Sequence, residues 1–229
     1  MRIAIISVGN ELLKGDTVNT NASYIAKKLT EIGHEVRRII VIPDNVGEIA
    51  DEVRKASQLY DFVIVTGGLG ATHDDVTNEG IAKALERKLC VNEEVYEYLK
   101  GISDNEFAVR KISSVPEGAE IVWNDVGAAP AYIVENIAVM PGVPEEMRNT
   151  FEKILKRFER LEYFQEEVRV DGYEVQILEE LNKVVEEFPD VEIGSYPKLG
   201  YVIVRFSGKN KVRVKKAVER FRELLGKRV

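Results

Sequence analysis

One cysteine, two histidines and one tryptophan are all that 229 residues contain of these three residue types. A single cysteine, Cys90, excludes an internal disulfide and fits a reducing cytosol. Basic charge is not in excess: 32 Lys and Arg stand against 39 Asp and Glu, for a net charge of −7. That argues against a sequence-independent grip on nucleic acid, which needs a basic face, although a nucleotide needs only local donors. No apolar run approaches the about eighteen residues of a membrane span, so no membrane partner is expected. No charged n-region, apolar stretch and small-residue cleavage site occur in order at the start. Cytoplasmic location is the expectation. Neither a Walker A sequence nor a G-x-G-x-x-G fingerprint occurs. Gln is rare while Glu, Lys and Arg abound, which leans towards a thermophile.

What is present is ample material for a core, since 45 % of the residues are hydrophobic. Arg2 to Val8 and Glu35 to Ile42 are β-branched runs, and Asp61 to Val65 is a short apolar one. Between them, Asn21 to Ile32 and Val46 to Gln58 repeat apolar residues at helical spacing. Thr77 to Leu89 continues as a helix, with Asp75 or Thr77 as the expected N-cap. Helices are also predicted over Glu93 to Lys100, Asn105 to Ile112 and Glu145 to Leu161, with Pro144 suited to the first turn. Short strands are predicted over Glu120 to Trp123, Ala131 to Val134 and Ile137 to Met140. Strand and helix alternating with short connections predict an α/β fold, a mainly parallel sheet with helices on both faces. From Tyr163 the order becomes β-α-β-β-α: strands over Tyr163 to Val170, Val191 to Ser195 and Tyr201 to Phe206, and helices over Tyr173 to Phe188 and Lys211 to Leu225. The expected division is therefore 1–162 and a small α+β domain over 163–229.

Open parallel sheets bind ligands outside the carboxyl ends of their strands. Three loops leave such ends here. The first runs from Gly9 to Gly15 and on to Asn19-Thr20-Asn21. The second is Thr66-Gly67-Gly68-Leu69-Gly70-Ala71-Thr72-His73-Asp74-Asp75, and the third is Pro141-Gly142-Val143-Pro144. Each ends near a helix start, where unpaired N–H groups favour an anion. Glycine amides suit phosphate oxygens, and adjacent carboxylates suit a hard cation that bridges the same phosphates. Gly67, Gly68 and Gly70 are the candidate phosphate donors. Asp74 and Asp75, with Glu11, are the candidate metal ligands, and Asn21, Thr66 and Thr72 are candidates for direct hydrogen bonds. Other readings of the same residues stand beside these: glycines that only make a tight turn, an Asp75 that only caps, a Glu11 that is merely solvated. Cys90, among apolar residues at a helix end, reads as structural, and Trp123 reads as packing.

The three motifs, in this order and spacing, resemble the N-terminal domain of the competence/damage-inducible protein CinA. They are Gly9-Asn10-Glu11-Leu12-Leu13 with Asn19-Thr20-Asn21, Thr66-Gly67-Gly68-Leu69-Gly70 with Asp74-Asp75-Val76-Thr77, and Pro141-Gly142-Val143-Pro144 with Glu146-Met147. That domain is similar to the molybdopterin-binding fold of the molybdopterin adenylyltransferases. The stretch from residue 163 resembles the KH-like domain that follows in CinA-like proteins, without the G-x-x-G of an RNA-binding KH domain. The resemblance implies a site at the three loops, with Asp75 at a metal–nucleotide centre; Asp74 matches no carboxylate of the adenylyltransferase motif. It adds Asn124, Gly127, Pro141 and Gly142 as candidate ligand-binding positions. It implies hydrolysis of the pyrophosphate of ADP-ribose or a similar dinucleotide with divalent Mg, Mn or Co. Molybdopterin binding or adenylylation, and a nucleotide-binding module without catalysis, are the alternatives. A homodimer is expected, because relatives of the fold are commonly oligomeric. The chain departs from the family pattern at Asn10, where many relatives carry Asp, and at Ala71, where Pro is common. Ala128 and Ala131 replace the Thr and final Gly of an Asn-x-x-Gly-Thr-Ala-Pro-Gly motif that begins at Asn124.

Overall fold

The computed structural model describes residues 1–226. It divides into two compact units, Met1–Glu159 and the described residues from Arg160 onward. In the first, β1 (Arg2–Val8), α1 (Asn10–Lys14), α2 (Thr20–Glu31), β2 (Glu35–Ile42), α3 (Val46–Leu59), β3 (Phe62–Thr66) and α4 (Thr77–Ala84) follow one another. Then come β4 (Leu89–Val91), α5 (Glu93–Lys100), α6 (Glu106–Ser113), β5 (Ser114–Pro116), β6 (Glu120–Val122), β7 (Ala131–Val134), β8 (Ile137–Met140) and α7 (Pro144–Leu155).

Six strands form one sheet in the order β2-β1-β3-β8-β7-β6. The first four run parallel and the last two pairings are antiparallel. Two antiparallel steps bring β6 back into the direction of β8, so its carboxyl end lies at the same edge of the sheet as those of β1, β3 and β8. Strand side chains alternate between faces. Ala4, Ile6, Val63, Val65, Ile137 and Val139 meet Ile49, Val53 and Ile81 of α3 and α4 on one face. Ile3, Ile5, Ile64, Ala138 and Met140 meet Ile25, Leu29, Met147, Phe151 and Ile154 of α2 and α7 on the other. Both faces of β1, β3 and β8 are therefore covered, as continuous apolar runs in a parallel sheet require, while β2 at the edge is largely exposed. Val95, Leu99 and Val109 form a small core between α5 and α6. No helix among the described residues is long and apolar enough to cross a membrane.

The second unit carries β9 (Phe164–Asp171), a 3₁₀ turn (Glu174–Ile177), α8 (Leu178–Glu187), β10 (Glu192–Lys198), β11 (Tyr201–Gly208) and α9 (Lys211–Leu225). Its antiparallel sheet has the order β10-β11-β9, and it has its own core built on Val168, Val170, Val204, Phe206, Val218 and Phe221.

Several sequence-based expectations are corrected. α4 ends at Ala84, with Glu86 in a left-handed conformation at φ 54°. Leu89, expected at the end of that helix, begins β4, which pairs with β5, a strand not anticipated. Cys90 is on β4 and exposed, not buried in apolar surroundings. α7 stops at Leu155 and not Leu161, and the helix expected over Tyr173 to Phe188 starts as a 3₁₀ turn. Neither Asp75 nor Thr77 caps α4: Val76 occupies the cap position, and no side chain caps there.

Candidate active site

Backbone contacts lock the three loops together. The N–H of Gly67 donates to the Met140 carbonyl at 3.0 Å. Gly67 has φ 103°, and a Cβ on it would lie 2.2 Å from the Val8 carbonyl oxygen, so the end of β1 presses against this residue. A Cβ on Gly142 would meet the Gly67 Cα at 3.2 Å. The Thr77 hydroxyl donates to the Gly67 carbonyl at 2.8 Å and pins the loop to α4. Asn19 caps α2 by accepting from the Ala22 N–H, and its amide donates to the Ser7 hydroxyl at the end of β1. Asn21 is buried, and its amide donates to the Gly142 carbonyl at 2.7 Å while its Oδ1 has no partner. Three strand ends thus form one rim, which is where the parallel topology puts a ligand.

Within that rim the glycines differ. The Gly67 amide is spent on Met140, so the structure does not offer it to a phosphate, contrary to expectation. The N–H groups of Gly68 and Gly70 donate to no group among the described residues. Gly68 has φ 67°. A Cβ on Gly70 would fall 2.5 Å from the Asp75 carboxylate, which folds back over it.

Asp74 and Asp75 converge on Thr72. Asp75 Oδ2 accepts from the Thr72 N–H at 2.9 Å and lies 2.6 Å from its hydroxyl; Asp74 Oδ1 lies 2.5 Å from the same hydroxyl. One hydroxyl carries one proton, so it cannot donate to both carboxylates at once. Three hard oxygen donors in so small a space suit a cation of the Mg²⁺ class, which is held by one or two carboxylates and completes its shell with water and phosphate oxygens. The hydroxyl of Thr72, with the Asp74 backbone N–H and the charges of His73 and Lys111, holds the Asp74 carboxyl below its ordinary range. Lys111, from the last turn of α6, donates its ammonium to the Thr72 carbonyl. Nothing in the sequence ties Lys111 to this loop; the link is made by the fold of α6.

The remaining candidates are distributed as follows. Glu11 lies in the first turn of α1 with its carboxylate over Gly9. Among the described residues no three His, Cys, Asp or Glu side chains are grouped to hold a metal, so Glu11 does not join Asp74 and Asp75 in one cage. Thr66 is buried in β3, and Pro141 is buried while Gly142 is exposed. Asn124 is also buried and fully engaged. Its amide donates to the Ala129 carbonyl at 3.0 Å and to Glu146 at 2.9 Å, and its Oδ1 accepts from the Val126 N–H. Both amide N–H groups are thus engaged within the fold, and the side chain braces its loop. A Cβ on Gly127 would lie 2.1 Å from the Glu146 Cδ, so this glycine packs flush on the glutamate. Burial pushes the Glu146 carboxyl up, against the hydrogen bond from Asn124. Asp44, at the end of β2, accepts the Asn10 N–H at 2.8 Å and fixes the start of α1. Glu146 and Asp44 escaped the sequence reading as site residues because their partners are remote in the chain. His73 is exposed, and Trp123 is partly exposed with its ring edge-on to Tyr98 at 5.3 Å.

The family described as "Probable molybdopterin binding domain" matches residues 4–160, and "FAD synthase, middle domain" matches residues 162–229. A protein of Archaeoglobus fulgidus is 69 % identical over 225 residues, covering 98 % of each chain. A CinA-like protein of Thermosipho melanesiensis is 34 % identical over 236 residues, covering 96 % of this chain; the chain spans 58 % of that relative's length. The crystal structure of the protein CinA, of unknown function, from Thermoplasma acidophilum superposes with a TM-score of 0.63 at 36 % identity. That match covers 68 % of this chain and 98 % of the other.

Proposed function

Since the chain belongs to the molybdopterin-binding-domain family in its CinA-like form, we propose that it hydrolyses the pyrophosphate of ADP-ribose or a similar dinucleotide with the help of a divalent cation. The observation that carries this reading is one loop, at the carboxyl edge of a parallel sheet, that presents two undonated glycine amides beside two converging carboxylates. Amides alone would suit any anion, and carboxylates alone any cation. Together they fit a metal–pyrophosphate complex. The match of residues 162–229 to a domain of FAD synthase supports a ligand of this class, because FAD is itself two nucleotides joined through a pyrophosphate.

Asp74 and Asp75 are the residues that would hold Mg, Mn or Co. Such a cation, when bound, supplies charge neutralisation and polarises a phosphoryl oxygen and a water. The chain's own groups do the rest. The N–H groups of Gly68 and Gly70 take phosphate oxygens and stabilise the charge that grows on them. Thr72 holds both carboxylates in register. Asn21 fixes the rim through Gly142. In the reaction water adds to one phosphorus, the P–O–P bridge breaks, and ADP-ribose yields AMP and ribose 5-phosphate.

The test is incubation with ADP-ribose, FAD and ATP in turn, each with Mg²⁺, Mn²⁺ or Co²⁺, followed by product chromatography. AMP from ADP-ribose is the expected outcome. The family match also favours a pterin ligand, and pyrophosphate released from ATP only when molybdopterin is present would replace the first reading with an adenylyltransferase. Binding without turnover of any of them would leave a nucleotide-binding module. The assembly proposed is a homodimer, which light scattering across micromolar concentrations detects; a monomer throughout removes it.

A further inference from the structure

Lys111 poses a question of charge. It stands beside two carboxylates yet pairs with neither: no ion pair joins it to Asp74 or Asp75 within 4.0 Å, although fourteen such pairs occur among the described residues. Its ammonium is moored on a neutral acceptor, the Thr72 carbonyl. An ammonium has three N–H donors, and the other two meet no acceptor among the described residues. The side chain is half-buried, and its stem rises from α6, whose Val109 is fixed in a core with α5. The charge is therefore held in place while its donors stay unspent. A lysine serving only to neutralise the acid pair would close on it. This one leaves the carboxylates open for a cation and itself open for an anion.

We propose that Lys111 is the fixed cation that receives a phosphate oxygen of the ligand, held at the edge of the acidic loop by the Thr72 carbonyl. The proposal rests on the pyrophosphate reading of this site and adds to it the group that lets an anion approach two aspartates. A pyrophosphate diester brings about two negative charges to a loop that already carries two, and like charges repel. The bound cation offsets part of this; Lys111 offsets it from the other side and adds a directional, charge-assisted hydrogen bond.

The experiment compares the wild-type chain with Lys111→Met and Lys111→Arg. Calorimetry measures binding of inorganic pyrophosphate and of ADP-ribose with Mg²⁺, and paramagnetic resonance measures binding of Mn²⁺ alone. Lys111→Met should weaken both anions by about tenfold or more, the scale of one charge-assisted hydrogen bond. Its Mn²⁺ affinity should hold or rise, because a positive charge beside the acid pair is gone. Lys111→Arg should restore most of the anion affinity. A merely structural lysine predicts a different result, with Mn²⁺ and pyrophosphate affinity falling together as the loop loses its shape; that outcome, or unchanged pyrophosphate binding in Lys111→Met, overturns the proposal. Lys111-dependent pyrophosphate binding by a wild-type chain that releases no AMP from ADP-ribose would overturn the hydrolase reading and leave Lys111 in its role. A wild-type chain that binds neither anion overturns both.

Discussion

Asp75 sits two positions before the first residue of α4, and its carboxylate turns back onto its own loop instead of forward to the helix. Aspartate before a helix is ordinarily a cap, and the sequence alone leaves capping and cation binding superimposed. The structure separates them, since Asp75 Oδ2 accepts from the N–H and hydroxyl of Thr72 and no side chain caps α4. Asp75→Asn keeps an acceptor for the Thr72 N–H and removes the charge. Its melting temperature should stay within a few degrees of wild type, while turnover of ADP-ribose should fall by about a hundredfold, the scale of about 3 kcal/mol of transition-state stabilisation. Full activity in Asp75→Asn would remove the residue from the chemistry. Legibility at this scale was uneven for a physical reason. The residues that carry charge or glycine freedom announce themselves by type, as Asp74, Asp75 and the three loop glycines did. Which backbone amide is spent, as at Gly67 on the Met140 carbonyl, or which carboxylate an amide side chain meets, as Asn124 meets Glu146, depends on partners tens of residues away. His34 shows the same limit. It follows a helix-ending glycine, which says nothing of its burial, and it is buried against Phe158, rings 5.4 Å apart. Burial lowers its pKa from the ordinary value of 6.5. The unfolded chain then binds the proton more readily, so the stability His34 contributes is present above about pH 6.5 and is lost as pH falls through the depressed folded value. Thermal melts between about pH 8 and about pH 5 should show a steeper loss in wild type than in His34→Leu. Equal slopes would mean that His34 is protonated as readily in the fold as out of it.

The elements with strong periodicity were legible: β1, α2, α3, β3 and α9 stand within a residue or so of their predicted limits. The short ones were not. α1 is five residues, β4 and β5 three each, and nothing in three residues distinguishes a strand from a loop until its partner is known. The turn out of β3 is made by Gly67 and Gly68, both at positive φ. Gly67 combines φ 103° with a Cβ position 2.2 Å from a backbone oxygen of β1, which cannot move without dragging the strand. Gly67→Ala is therefore expected to cost at least about 1–3 kcal/mol from backbone strain alone, with the clash adding to it. Gly15, at the end of α1, also has positive φ, 77°, but open space around it. Gly15→Ala should cost only about 1 kcal/mol. Urea midpoints of the two variants, measured side by side, test whether β1 and the glycine loop touch. Equal midpoints would mean that the close approach of the Val8 carbonyl is not maintained in solution.

At the scale of the molecule, the change of pattern at residue 163 was read as a change of architecture, and the contacts divide the chain next to it, between Glu159 and Arg160. Each unit closes a core of its own: the first around two faces of the six-stranded sheet, the second around one face of β9, β10 and β11 covered by α8 and α9. A unit whose apolar side chains are satisfied internally needs no neighbour to fold. Phe221 tests this. It is fully buried on α9, with its ring centroid 5.5 Å from that of Phe206. Phe221→Ala leaves a cavity in the second core and should cost about 3–5 kcal/mol there. Asp74, Asp75, Thr72, Gly68, Gly70 and Lys111 all belong to the first unit. Calorimetry of the intact variant should show the transition of the second unit moved down or lost and the other transition in place, with turnover of ADP-ribose at a temperature below both close to wild type. A single transition that shifts as a whole, or activity that disappears with the Phe221 ring, would mean that the two cores melt as one and that the first unit depends on the second for its stability.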